Sequence, residues 1–203
     1  MSGNHVGSML KLGVILAVYA TAACVGLAFV YAGTSGIIAE RQLQDQNNAL
    51  KTLFPEADEF PAISGDIVSP DPSVAFDAKY EALKGGRMTG VVLGTSRASY
   101  GGAIRILVGV SAEGKITGIK ILEHKDTPGL GANAASESYY IDRATGLRFY
   151  DQFAGKPVAD PFVVKNDVVA VTASTITSQA VTSSVKAAGE AAAAYMAAKG
   201  GAR

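Results

Sequence analysis

The chain has no tryptophan, one cysteine (Cys24) and two histidines (His5 and His124) among its 203 residues. A disulfide within the chain is therefore impossible. The usual structural zinc or iron–sulfur ligand sets cannot be assembled from these side chains alone. No excess of charge of either sign exists, since 18 Lys and Arg balance 18 Asp and Glu, which argues against a nucleic-acid surface. Walker-type phosphate loops, the GxGxxG fingerprint, paired metal ligands and the GxSxG nucleophile elbow are all missing. With these classes set aside, no catalytic and no metal residues are expected.

What is present begins with a long uncharged run. No charged side chain occurs from Leu12 to Ala39, between Lys11 and Glu40, and this run explains a mean hydropathy of +0.22. As a helix it would extend about 42 Å, more than the roughly 30 Å hydrocarbon core requires. It reads as a membrane-spanning helix. A cleaved leader is the rival, and Thr21-Ala-Ala-Cys24 has the look of a lipoprotein processing site. Yet the apolar run continues through Val25–Tyr31, past the apolar region of a signal peptide. Lys11 before the span and Arg41 and Lys51 after it leave the orientation open.

The expected organisation is a tail at 1–11, a transmembrane helix at 12–39, a stalk and linker at 40–72 and a domain at 73–203. Ile38, Leu43, Leu50 and Phe54 continue a helical pattern that Pro55 stops, and Phe60–Pro72 carries three prolines. From Met88 the pattern turns to β. Ile104, Ile106, Val108 and Val110 alternate, as do Ile119 and Ile121, with Ala112-Glu-Gly114 as the hairpin turn between them. Tyr139–Gly155 mixes polar and aromatic residues suited to covering a β face. The fold class is α+β: one N-terminal transmembrane helix followed by a small α+β domain.

Three corners of that domain could carry chemistry. Thr172-Ala-Ser-Thr-Ile-Thr-Ser178 crowds hydroxyls between Val168–Val171, which reads as a buried strand, and a helix whose face is Val181, Val185, Ala188, Ala192 and Tyr195. The first N–H groups of such a helix favour a phosphate. Equally, the hydroxyls could simply cap it. Glu123–Gly131 follows the second hairpin strand, and Pro128-Gly129 suits the centre of a type II turn. Gly131 would let backbone approach a flat or anionic group. His124 and Asp126 could pair as acid and base, but a loop His is more often a surface residue. Tyr100-Gly-Gly102 opens the first hairpin strand. Three such corners, each abutting a strand, suggest one shared ligand pocket.

The order and content of four segments resemble a known family. These are the single early span, Tyr100-Gly-Gly102, His124-Lys-Asp-Thr-Pro-Gly-Leu-Gly131 and Thr172–Val181. From Leu12 onward the chain is similar to the G subunit of Rnf-type ferredoxin:NAD oxidoreductase complexes. More distantly it resembles the C subunit of the sodium-translocating NADH:quinone reductase. The resemblance implies FMN esterified through its phosphate to a threonine. The family pattern Ser/Thr-Gly-Ala-Thr falls on Thr172, Ala173, Ser174 and Thr175, so Thr175 is the expected attachment point and Thr177 the alternative. Ala173 stands where the pattern has Gly, Ser174 where it has Ala, and Val169 where an Asp is expected, with Asp167 two residues away.

The implied cofactor site comprises Thr172, Ala173, Ser174, Thr175, Ile176 and Thr177, with Thr127, Pro128, Gly129, Leu130 and Gly131, and with Tyr100 and Gly101. The implied role is electron transfer in a membrane-bound, ion-translocating complex, by a subunit that is not a complete enzyme alone. Expected partners are polytopic membrane subunits, iron–sulfur and flavin subunits and a flavin transferase for maturation, with no nucleic acid. The implied location is the inner membrane, with the domain on the outer, periplasmic face. A membrane-anchored assembly or binding module of the same fold without flavin, or a flavin donor outside any pump, remain as rival readings.

Overall fold

The computed structural model describes residues 3–200, with side chains from Gly7 to Gly200. It divides into one unit up to Asp45 and a second from Gln46 onward. Helix α1 (Gly3–Leu53) supplies the described part of the first unit and the first turns of the second. Residues expected as a loose tail are thus helical from Gly3; no proline interrupts them, and Met1 and Ser2 lie outside the described residues. From Gly7 the helix is long and apolar enough to cross a membrane. Leu12, Leu16, Leu27, Phe29 and Tyr31 all stand exposed along it. Such a surface suits lipid, where a helix satisfies its own backbone.

The second unit is built on an antiparallel four-stranded sheet in the order β1 (Val74–Lys84), β2 (Arg87–Ala98), β3 (Ala103–Ser111) and β4 (Ile116–Glu123). In β1 the apolar residues Val74, Phe76, Ala78, Tyr80 and Ala82 alternate in sequence, but a bulge between Phe76 and Ala78 puts Phe76 on one sheet face and Tyr80 and Ala82 on the other. The expected hairpin is β3–β4, turning through Ala112-Glu-Gly114. Register places Val91 opposite Val110, Leu93 opposite Val108, and Val108 opposite Ile119. These branched side chains share one face and support one another across strands. Helix α2 (Thr175–Gly200) lies on that face with Val181, Val185, Ala188 and Ala192 fully buried. Its far end is held by Tyr195 and Lys199, which both donate hydrogen bonds to Glu81 of β1.

The aromatic segment closes the end of this core. β5 (Tyr140–Asp142) and β6 (Leu147–Arg148) form a small hairpin, and Phe149 and Phe153 meet edge to face at 5.6 Å, both fully buried.

The opposite sheet face receives the end of α1. Leu50, Leu53 and Phe54 pack with Ala82, Val92 and Leu107. Pro55 follows directly, and the helix stops where its last side chains dock. Beyond it, Glu59–Ile63 runs along the outer edge of β1, with Ile63 N–H donating to Lys79 O and Glu81 N–H to Pro61 O. Pro61 is tolerated there because only the edge is paired. The floor under Leu53 and Phe54 is made of glycines. A Cβ on Gly90 would stand 2.4 Å from Phe54 Cζ and from Val110 O, and one on Gly109 3.2 Å from Phe54 Cε2.

Val168–Val171 is not a strand, contrary to the sequence reading. Val168 and Val171 are buried as an apolar run should be, but Val168 bonds only within its own loop, to Val163 and Lys165, and the residues after it find side chains instead of a ladder. Val169 N–H donates to Gln152 Oε1, Gln152 Nε2 donates back to Val169 O, and Val171 N–H donates to Ser178 Oγ. An apolar β-branched run specifies burial here without specifying a pairing partner.

The glycine floor yields a stability prediction. Gly90→Ala should destabilise the domain by about 1–3 kcal/mol through overpacking. Phe54→Ala should cost about 3–5 kcal/mol. The double variant should cost less than the sum, because removing the ring removes one of the clashes. Thermal melting of the full chain in detergent measures all three.

Candidate functional site

Three chain corners meet at the N-terminus of α2 and enclose a cleft of about 490 Å³. The β2–β3 corner contributes Tyr100, the loop after β4 contributes Asp126, Thr127, Leu130 and Gly131, and the start of α2 contributes Ala173 to Thr177. Of the residues expected in a ligand site, Tyr100, Thr127, Leu130, Gly131, Ala173, Ser174, Thr175, Ile176 and Thr177 are brought together. Gly101, Pro128, Gly129 and Thr172 support the cleft without lining it.

Each supporting residue has a local reason. Thr127-Pro128-Gly129-Leu130 is a closed turn, with Leu130 N–H donating to Thr127 O at 3.1 Å and Gly129 at φ 78°. That positive φ at the second central position is what a type II turn demands. Gly101 is pressed onto the next loop: a Cβ there would lie 2.1 Å from Lys125 O. Gly131 faces the helix start, where a Cβ would lie 2.6 Å from Thr177 Oγ1 and 2.7 Å from Asp126 Cβ. Thr172 N–H donates to the Tyr139 hydroxyl, fixing the approach to α2.

α2 begins at Thr175, earlier than the Ser178 start that the apolar face suggested. Thr175 is thus the first helical residue. Ser174 precedes it, and Ser174 O accepts from both Ser178 N–H and Ser178 Oγ. No acceptor among the described residues meets the N–H groups of Thr175, Ile176 or Thr177. Ser174 Oγ is likewise buried and unpaired. Four donors are therefore unsatisfied at the positive end of a helix dipole, beside a cleft. The simple hydroxyl cap is not formed, and an anion would satisfy these groups. Thr175 is exposed, so its hydroxyl is accessible, whereas Thr177 is 1% exposed and its hydroxyl stabilises the Asp126 carboxylate. Around the mouth, Tyr100, Leu130 and Ile176 present exposed apolar surface to whatever occupies the cleft.

The residue that sequence reasoning undervalued is Asp126. Considered only as an acid/base partner of His124, it is the node joining all three corners. Its carboxylate accepts from Ser99 Oγ at 2.6 Å and from Gly101 N–H at 2.6 Å, and the Thr177 hydroxyl also stabilises its charge. Burial pushes its pKa up, but the bonds from Ser99, Gly101 and Thr177 outweigh that, with a lesser electrostatic contribution from His124. The net direction is down. Its place between two glycine corners was the available signal. Asp167, by contrast, does not fill the position of the missing Asp. It accepts from Phe162 N–H, Val163 N–H and Lys156 Nζ, and so ties its own loop. Val169 itself is 55% exposed.

Ala173 explains why glycine belongs to the pattern it departs from. It sits at φ 58°, in the left-handed region. A non-glycine residue there costs roughly 1–2 kcal/mol. Ala173→Gly should therefore raise stability by about 0.5–1 kcal/mol, after the entropy cost of glycine is deducted. Asp126→Asn should lower it by about 2–3 kcal/mol at neutral pH. Because the folded pKa of Asp126 lies below its ordinary 3.8, its contribution is complete above that value and lost as pH falls through the folded pKa. The gap in melting temperature between wild type and Asp126→Asn should accordingly be constant from pH 7 to about 5 and shrink below pH 4.

Comparison with known proteins gives this geometry its context. Residues 99–190 match the FMN-binding domain family, and residues 1–53 match the RnfG N-terminal region. The G subunit of the proton-translocating ferredoxin:NAD(+) oxidoreductase complex of Clostridium ljungdahlii is 36% identical, over 79% of this chain and 78% of its own length. The G subunit of the Na(+)-translocating complex of Acetobacterium woodii is 35% identical, over 86% and 87%. The G subunit of the ion-translocating oxidoreductase complex of Methanosarcina acetivorans is 32% identical, over 84% and 87%. The crystal structure of Shewanella oneidensis NqrC aligns at a TM-score of 0.46 with 17% identity, covering 71% of this chain and 73% of that one. A single apolar helix leading into an FMN-binding domain, matched along most of its length by three Rnf-type G subunits, places the chain in the RnfG family as a membrane-anchored protein whose cofactor is FMN.

Proposed function

We propose that this protein is the electron-relay subunit of an ion-translocating ferredoxin:NAD oxidoreductase complex, carrying FMN joined by a phosphoester to Thr175. The observation that carries the attachment is the state of the α2 N-terminus. An accessible hydroxyl at Thr175 adjoins three unpaired N–H groups and the orphaned Ser174 Oγ. A phosphate ester on that oxygen would have its negative charge met by donors already in place. Thr177 is a poor alternative, because its oxygen is buried and committed to Asp126.

The residues fit the rest of the cofactor as well. The cleft has the volume of a small-molecule site. Tyr100, Leu130 and Ile176 offer apolar surface to a flat ring, and the Thr127–Leu130 turn holds its backbone rigid beside them. When bound, FMN supplies reversible electron transfer. The protein's part is to hold the phosphate, fix the ring and shield it, and a covalent tether prevents its loss. Val169, Ala173 and Ser174 are the positions where a flavin transferase would meet residues other than the family's.

Electrons would pass to and from cofactors on neighbouring subunits, iron–sulfur and flavin proteins together with polytopic membrane subunits. The relatives at 35–36% identity are named as subunits of such complexes. A domain on the outer, periplasmic face of the membrane is the topology this reading adopts. One cofactor on one anchored domain does not amount to a complete enzyme.

The test is in-gel ultraviolet fluorescence of denatured protein from its native membranes, wild type beside Thr175→Ala. A fluorescent band at the 20.8 kDa of this chain, absent in the variant, is the expected result. Fluorescence retained by Thr175→Ala would move the attachment elsewhere. A dark wild-type band would refute covalent flavin.

A further inference from the structure

We propose that Asp126 is a potential-setting residue: a fixed negative charge, held in no ion pair, in the wall of the flavin cleft that lowers the midpoint potential of the FMN. The inference rests on the placement of FMN in this cleft.

Asp126 combines burial with the lack of an ion pair. It is the one charged side chain that is buried among the described residues, at 5% exposure. Asp71 pairs with Arg97, Asp77 with Arg105, Asp151 with Arg148, Asp167 with Lys156 and Glu81 with Lys199. Asp126 is in no such pair. Its nearest cation in sequence, Lys125, is turned outward and lies 4.0 Å from Glu123. The donors that Asp126 does have, two hydroxyls and one amide, are neutral. They satisfy its lone pairs and hold it ionised without cancelling the charge.

A buried charge is ordinarily paired, because desolvation is costly. An unpaired one that also lines a cleft marks a functional position more often than a structural one. Among the described residues it is the only charged side chain in the lining of this cleft. Reduction of a bound isoalloxazine by two electrons with one proton from solvent would leave it with one more negative charge than before. A carboxylate fixed in the wall opposes that change more strongly than one in water would. Charge close to the ring is a recognised lever on flavin electronics. A neutral acceptor for the same donors could have been supplied by an Asn or Ser at this place. What the carboxylate adds beyond loop closure is its charge.

The experiment is a reductive titration of the full-length flavinylated protein in detergent, followed by flavin absorbance. Dithionite is the electron donor, and a dye of known potential is the reference. Wild type is compared with Asp126→Asn and Ser99→Ala. Asp126→Asn removes the charge, and Ser99→Ala loosens the same loop while leaving the charge in place. Asp126→Asn is expected to shift the reduced-to-oxidised ratio at a fixed potential at least tenfold toward reduced, about 30 mV for a two-electron couple. Ser99→Ala should melt earlier without any such upward shift. Where Asp126→Asn does not accumulate, Asp126→Ser provides the same neutralisation with a smaller side chain. An unchanged potential in the neutral variant, or an equal rise in Ser99→Ala, overturns the proposal and leaves the flavin site standing. A wild-type protein without flavin in the cleft overturns both.

Discussion

The carboxylate of Asp126 is the constraint on which the site depends. Three segments far apart in sequence, the β2–β3 corner, the loop after β4 and the first turn of α2, end on its two oxygens. Gly101 and Gly131 can approach closely enough only because they have no Cβ, and each touches Asp126 or its neighbour. A buried carboxylate demands its full complement of donors. The loops that supply them are thereby fixed in place, and the cleft they enclose keeps its shape. Loss of any one donor leaves the charge short of partners, so the corners are coupled energetically as well as in space.

The second constraint is an incomplete one. A helix as long as α2, packed along its whole apolar face, would ordinarily cap its first turn with the serine before it. Here Ser174 Oγ makes no bond, and the three N–H groups of the first turn are left unpaired beside the cleft. Ala173 is held in a left-handed conformation to produce this corner. Strain and unmet polar groups concentrated at one place are the mark of a site shaped by its ligand rather than by stability.

Much of this was legible in the sequence. The β3–β4 hairpin and the apolar face of α2 follow from periodicity alone, because in each the apolar side chains recur at the period of the element. Pro128-Gly129 specified its own turn. The three corners were recognisable by glycines and hydroxyls, although nothing in their order along the chain said that they would converge. Val168–Val171 was misread because burial and pairing are separate properties, and Gln152, Ser178 and Tyr139 took the place of a neighbouring strand. β1 was passed over although Val74, Phe76, Tyr80 and Ala82 alternate. A bulge between Phe76 and Ala78 interrupts its pairing, so Phe76 and Tyr80 pack on opposite faces of the sheet. Asp126 was hardest to value, since a carboxylate's partners are a property of the folded chain. The glycine floor beneath Phe54 shows only when the end of α1 is laid on the sheet.

An exposed threonine at the head of an uncapped helix, in a domain of an FMN-binding family, makes one chemical claim above all others. Mass spectrometry of the tryptic peptide 166–186, taken from protein made in its native membranes, addresses it directly. The expected result is a peptide carrying the mass of FMN less one water, with fragment ions placing the addition on Thr175. An unmodified peptide from flavin-replete membranes, or an addition localised to Thr172 or Thr177, would contradict it.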